Sequence, residues 1–156
     1  MSKWFYFNLV LLVFAIWKIA DHTPIPLHIL FGALGLFLVL FNWTRHAVFS
    51  TIRNTSDRKK KIKLANISKK IVPFHRYIGT TALILIIIHA MLVIDRFGGF
   101  YWQNIKMISG LLTGLVLIGM VTSGWLRLIW PTVRKRMIHI WLGITLFFLI
   151  AIHLIL

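Results

Sequence analysis

Four histidines carry the clearest chemical signal in the chain. His75 and His89 are fourteen residues apart, and so are His139 and His153. The chain has no cysteine, which excludes thiolate metal sites, disulfides and iron–sulfur clusters, so redox chemistry here needs an imported cofactor. On a helix rising about 1.5 Å per residue, the members of each pair stand roughly 21 Å apart along the axis and differ by only about 40° around it. Both therefore look out from nearly one face. Two such helices side by side put His75 level with His139, and His89 level with His153.

A six-coordinate haem takes one imidazole from each side of its plane, so its ligands must come from facing helices at equal depth. The spacing meets that condition twice, once at each level. The two segments are also alike in sequence, HRYIGTTALILIIIH (75–89) against HIWLGITLFFLIAIH (139–153). They are identical at the histidines, at Gly79 and Gly143, and at Thr81/Thr145, Leu85/Leu149, Ile86/Ile150 and Ile88/Ile152. A glycine four residues after the first histidine lies one turn along the same face, where a flat macrocycle can come close to the backbone. A single histidine in a membrane helix is ordinarily a packed or hydrogen-bonded residue, and a glycine ordinarily serves helix packing. Matched interval, depth and local sequence separate these four from that ordinary case. A bare zinc site is disfavoured because each level offers two imidazoles and no carboxylate or thiolate.

Composition dictates what must position them. The 156 residues are 59% hydrophobic, with mean hydropathy +0.85, more apolar surface than one soluble core can hide. About 20 apolar residues make one bilayer crossing, and windows of that length fall at roughly 4–20, 26–49, 75–95, 107–130 and 137–156, each ended by Pro, Gly or charge. The expectation is an all-α integral membrane bundle of about five transmembrane helices, a single domain over 1–156. Lys3 before an apolar run resembles a signal peptide, but Lys18 stands where a small-residue cleavage site belongs, so the first span is read as a retained helix.

Charge orients the bundle. The net charge is +15. Arg53, Arg58, Lys59, Lys60, Lys61, Lys63, Lys69 and Lys70 crowd a basic loop at 50–74, and Arg134, Lys135 and Arg136 lie between the fourth and fifth spans. The positive-inside rule makes both loops cytoplasmic, with the amino terminus inside and Leu156 outside the cell (cytoplasmic) membrane. Basic residues beside a bilayer are explained by topology and anionic headgroups, so nucleic acid is not an expected partner. An acidic cytoplasmic partner is a further use for the same surface.

His75-Arg76 followed by Gly79 and His89, the basic loop before them, and His139 to His153 two helices on together resemble the ferric-reductase-like transmembrane domain shared with NADPH oxidase haem subunits. The similarity spans roughly 26–156. The resemblance implies two haem b groups, the inner on His75 and His139, the outer on His89 and His153, with electrons moving from the cytoplasm to an acceptor at the outer face. Members of that family usually continue into a flavin and nicotinamide domain, whereas this sequence stops at Leu156 and has no G-x-G-x-x-G nucleotide signature. The expected donor is therefore a separate flavoprotein reductase or membrane quinol, with flavin or quinone carried by the partner or bound at the interface. The chain is read as an oxidoreductase component rather than a complete enzyme. Two other readings stand beside it, a quinol-oxidising cytochrome subunit of a larger complex and a non-redox polybasic membrane scaffold.

Anionic haem propionates call for Arg or Lys at the membrane interface. Arg76 is the first choice because it adjoins a ligand; Arg127, Arg134 and Arg136 are further candidates for the inner haem, and Arg96 or Lys106 for the outer. His28 and His46, at opposite ends of the second span, allow a different ligand pairing, and His22 sits in a polar outer turn. Gly110 and Gly114 form a G-x-x-x-G spacing whose ordinary use is close packing. A homodimer through that face is its other use.

Overall fold

A computed structural model of the protein describes residues 3–156. Among them the regular structure is helical: α1 (Lys3–Ala20), α2 (Leu27–Asn54), α3 (Arg58–Ile71), a 3₁₀ turn (Val72–Phe74), α4 (His75–Phe97), α5 (Ile105–Ile129) and α6 (Val133–Ile155). Five helical stretches are long and apolar enough to cross a membrane. Large apolar side chains such as Val10, Trp17, Phe37, Ile84, Met91, Leu115 and Phe148 are exposed on their outer faces. In water such a surface would be an aggregation liability; against lipid it is what a bundle needs.

Each boundary has a local cause. The α4 helix ends at Gly98, whose φ of 73° supplies the left-handed cap that other residues resist. Asn104 and Thr132 accept backbone N–H groups in the first turns of α5 and α6, satisfying donors that lipid cannot.

The basic stretch expected as a loop is instead partly helix, because α2 runs on to Asn54 and α3 occupies 58–71. Asp57 caps α3, its carboxylate accepting from the backbone N–H of Lys59 at 2.9 Å and Lys60 at 3.3 Å. The Lys60 and Lys59 N–H groups hold that carboxyl below the usual carboxylate range. Leu64, Ile67 and Ile71 recur at helical spacing, and Leu64 and Ile67 face Thr51 and Asn54 at the end of α2. The lysines take the rest of the helix surface. The apolar stripe was hidden by their number.

Packing proceeds in antiparallel pairs, α2 against α4 and α5 against α6, with α1 on α2 and α4 on α5. The α2/α4 seam closes on small residues: Ala82 is 0% exposed, and a Cβ at Gly35 would lie 2.7 Å from Ile86 Cδ1. The core proper joins α1, α2, α5 and α6 through Leu11, Leu40, Trp43, Leu117, Leu146 and Phe147. Trp43 stacks on Phe147 with ring centroids 5.0 Å apart. By contrast, α4 and α6, the two histidine helices, do not pack closely along their lengths. Helix α4 packs instead on α2 and α5, and α6 on α5. Gly35→Leu is expected to force α2 from α4 at a cost of about 1–3 kcal/mol, read as a lower Tm of the detergent-solubilised protein; an unchanged Tm would show that the seam yields freely.

Candidate functional site

Because α4 and α6 run in the same direction, the first histidine of each helix lies at one depth and the second at another. The His75 and His139 rings stand with centroids 6.1 Å apart and planes at 81°. Two imidazoles bound through nitrogen to one metal atom at about 2 Å each have ring centroids roughly 6 Å apart. The inner pair is thus at ligand spacing. At the outer level, no ring contact joins His89 to His153 among the described residues, although His89 is near enough to act electrostatically on His153. His89 lies instead beside the His28 ring, at 6.5 Å and 29°.

Each histidine is seated by the antiparallel neighbour of its own helix. His153 and His139 face α5, where Ser109 Oγ and Ser123 Oγ each lie 2.9 Å from the respective Nδ1. The glycine after each serine makes room: a Cβ at Gly110 would sit 3.0 Å from His153 Cε1, and one at Gly124 would sit 3.3 Å from His139 Cε1. His89 faces α2, with Nδ1 2.7 Å from the His28 carbonyl oxygen, and a Cβ at Gly32 would come within 2.9 Å of that ring. At His75 the neighbour is Asn42 of α2, whose Nδ2 donates to the His75 carbonyl at 3.1 Å.

Proton accounting then fixes the tautomers. Ser109 donates its hydroxyl proton to the Lys106 carbonyl and Ser123 donates to that of Met120, both at 2.8 Å. The Met120 carbonyl, 3.1 Å from His139 Nδ1, and the His28 carbonyl at His89 can only accept, so these two rings carry hydrogen on Nδ1. A hydroxyl has one proton, so with that proton on the Lys106 carbonyl the Ser109 oxygen accepts from His153 Nδ1–H in the same way. This tautomer leaves the Nε2 lone pair free, the state in which imidazole binds a metal.

His75 and His139 line a narrow cleft of about 40 Å³, together with Val39 and Asn42 of α2, Arg76 and Gly79 of α4, Leu117, Met120, Val121, Gly124 and Trp125 of α5, and Leu146 of α6. Gly79 borders this space, whereas Gly143 is buried and does not; a Cβ there would meet Trp43 Cζ3 at 3.3 Å. Arg76 lies over the Trp125 ring, 5.5 Å from its centroid, and Trp125 donates to Thr80 Oγ1 at 3.2 Å. Arg45, which spacing did not single out, is half-buried on α2 and acts on His75 electrostatically together with Arg127. No carboxylate among the described residues pairs with Arg45, Arg76 or Arg127. The buried Arg45 Nε and His75 Nδ1 have no hydrogen-bond partner. The Arg45 guanidinium lies over the Phe49 ring, 5.6 Å from its centroid, so this end of the site is cationic and suits an anionic group.

The remaining candidates fall elsewhere. His46 stacks on Trp43 at 4.9 Å and 20° and meets Trp4 edge-on at 5.2 Å. His22 is exposed, with Nδ1 3.0 Å from the Lys18 carbonyl oxygen. Nothing lies within 4 Å of a Cβ at Gly114, so Gly110 serves His153 rather than a G-x-x-x-G contact inside the chain. Ser109 and Ser123 escaped the sequence reading, yet Ser109-Gly110 and Ser123-Gly124 repeat at the same fourteen-residue interval as the histidines. That shared period was the available signal.

No family model matches the chain, and no curated protein or solved structure is similar to it.

The tautomer assignment has a direct test. Ring ¹⁵N shifts of histidine-labelled protein are expected to show protonated Nδ1 and bare Nε2 at His89, His139 and His153; protonated Nε2 at these positions would contradict the hydrogen-bond accounting. Gly110→Leu is expected to displace His153, while Gly114→Leu leaves the four imidazole signals in place.

Proposed function

We propose that this protein is a b-type di-haem relay that passes single electrons through the membrane, with His75 and His139 binding the inner haem and His89 and His153 the outer. The observation that carries the reading is the inner pair itself: two imidazoles on separate helices, 6.1 Å apart, lining one cleft. Its support lies in the tautomers, in the unpaired arginines around the cleft, and in the resemblance to ferric-reductase-like domains.

Bound haem supplies a reversible one-electron iron couple. The chain's residues do the rest. His75 with His139, and His89 with His153, would hold the two groups between separate helices, and coordination by two imidazoles would reserve the iron for electron transfer rather than for binding a substrate. Arg45, Arg76 and Arg127 would take the inner propionates in charge-assisted hydrogen bonds, and Arg96 and Lys106 stand at the outer level. The apolar helix interiors exclude water between the levels. By the positive-inside rule the inner level faces the cytoplasm, where a separate flavoprotein or membrane quinol delivers electrons, and the acceptor lies beyond the outer level.

Purified protein is expected to show reduced-minus-oxidised b-type bands and about two haems per chain. His75→Ala and His139→Ala each remove the inner haem and leave the outer; His89→Ala and His153→Ala do the reverse. A folded, colourless preparation would overturn the reading. Arg45→Met is expected to weaken retention of the inner haem by about 1.5–3 kcal/mol, the worth of a hydrogen bond to a charged group, measured as haem transfer to apomyoglobin.

A further inference from the structure

The α5 helix repeats its histidine-facing dipeptide. Ser109-Gly110 and Ser123-Gly124 are fourteen residues apart, as are His139 and His153 on the antiparallel α6. The two helices meet in a register that puts one serine opposite each histidine, both at 2.9 Å from Nδ1. Both hydroxyls are turned by the same device, donation to the carbonyl three residues earlier. The glycine beside each serine is what lets the ring approach, since a Cβ at either position would crowd it. Helix α4 has no such partner: His89 bonds to a backbone carbonyl, and His75 Nδ1 bonds to nothing.

We propose that Ser109 and Ser123 are positioning residues that set the donor strength of His153 and His139, one serine tuning each level independently. The proposal rests on the haem reading above and adds residues it does not require. An acceptor on Nδ1–H pulls the proton outward and makes Nε2 a more basic ligand. A more electron-rich imidazole stabilises ferric over ferrous iron and lowers the reduction potential at that level. Because each serine reaches a single histidine, the two potentials have separate controls on one helix. Side-chain control of this kind is confined to the α6 ligands; on α4 the backbone sets one ligand and leaves the other without an acceptor. Each level thus pairs a serine-tuned imidazole with one that no side chain adjusts.

The test is a redox titration of the full-length, haem-loaded protein in which the two b-type haems are resolved. Ser109→Ala is expected to raise the midpoint potential of the outer haem and leave the inner unchanged, and Ser123→Ala to raise the inner alone. Ser109→Thr and Ser123→Thr, which keep the oxygen, restore the wild-type values. The bis-imidazole low-spin EPR signal of the affected level shifts with its potential, while the haem count stays at two. Wild-type protein without haem would sink the haem reading and this proposal with it. Two haems held normally with both potentials unmoved, or both levels shifting together in each variant, would overturn the serine assignment alone.

Discussion

A neutral imidazole inside a bilayer has one N–H to place and one lone pair to leave, and there is no water to take either. Much of this structure follows from how that proton is placed. On α6, serine oxygens already committed as donors receive Nδ1–H; on α4, the His28 carbonyl receives it at His89. Each choice frees Nε2. It also demands that a neighbouring helix come close enough to supply an acceptor, so glycine stands at Gly32, Gly110 and Gly124, where the rings lie against the backbone. Helix pairing, glycine placement and tautomer are thus one constraint seen at three scales.

The constraint explains the order of packing. Helices that seat histidines pair tightly with the helices that carry them, α2 with α4 and α5 with α6, whereas α4 and α6 stay apart. Arg76 lines the cleft, and Arg45 and Arg127 act electrostatically on His75, in a chain whose acids are Asp21, Asp57 and Asp95, of which Asp57 is engaged as a cap. Like charges held together at a membrane boundary call for a counter-anion.

Sequence revealed the parts of this arrangement that depend on period alone. Five apolar runs gave five helices, and a fourteen-residue interval, nearly four full turns, gave histidines on one face at two depths. It was less informative where a residue's role depends on its neighbour across a helix seam. Ser109 and Ser123 are unremarkable in a membrane helix until α6 is laid beside them, and Arg45 becomes meaningful only once α2 is known to run antiparallel to α4. The α3 helix was missed for another reason: its stripe of Leu64, Ile67 and Ile71 is short and set among lysines, so charge density dominated the reading. Gly110 and Gly114 were paired by a spacing rule, although the structure gives Gly110 to His153 and leaves Gly114 open.

Asymmetry between the helices carries the argument one step further. His139 and His153 each face a serine of α5 at 2.9 Å, with the Met120 carbonyl a second acceptor at His139, so α5 and α6 form a unit that repeats its serine along its length. His75 and His89 are not equivalent: one has an unsatisfied buried nitrogen beside an unsatisfied arginine, and the other is hydrogen-bonded and lies beside His28. An unmet polar atom in this setting costs about 1–3 kcal/mol, and two adjacent ones are most simply relieved together. Arg45 Nε–H and His75 Nδ1 are thus the open hydrogen-bonding positions of the site, whereas His89, His139 and His153 have their Nδ1 partners within the bundle.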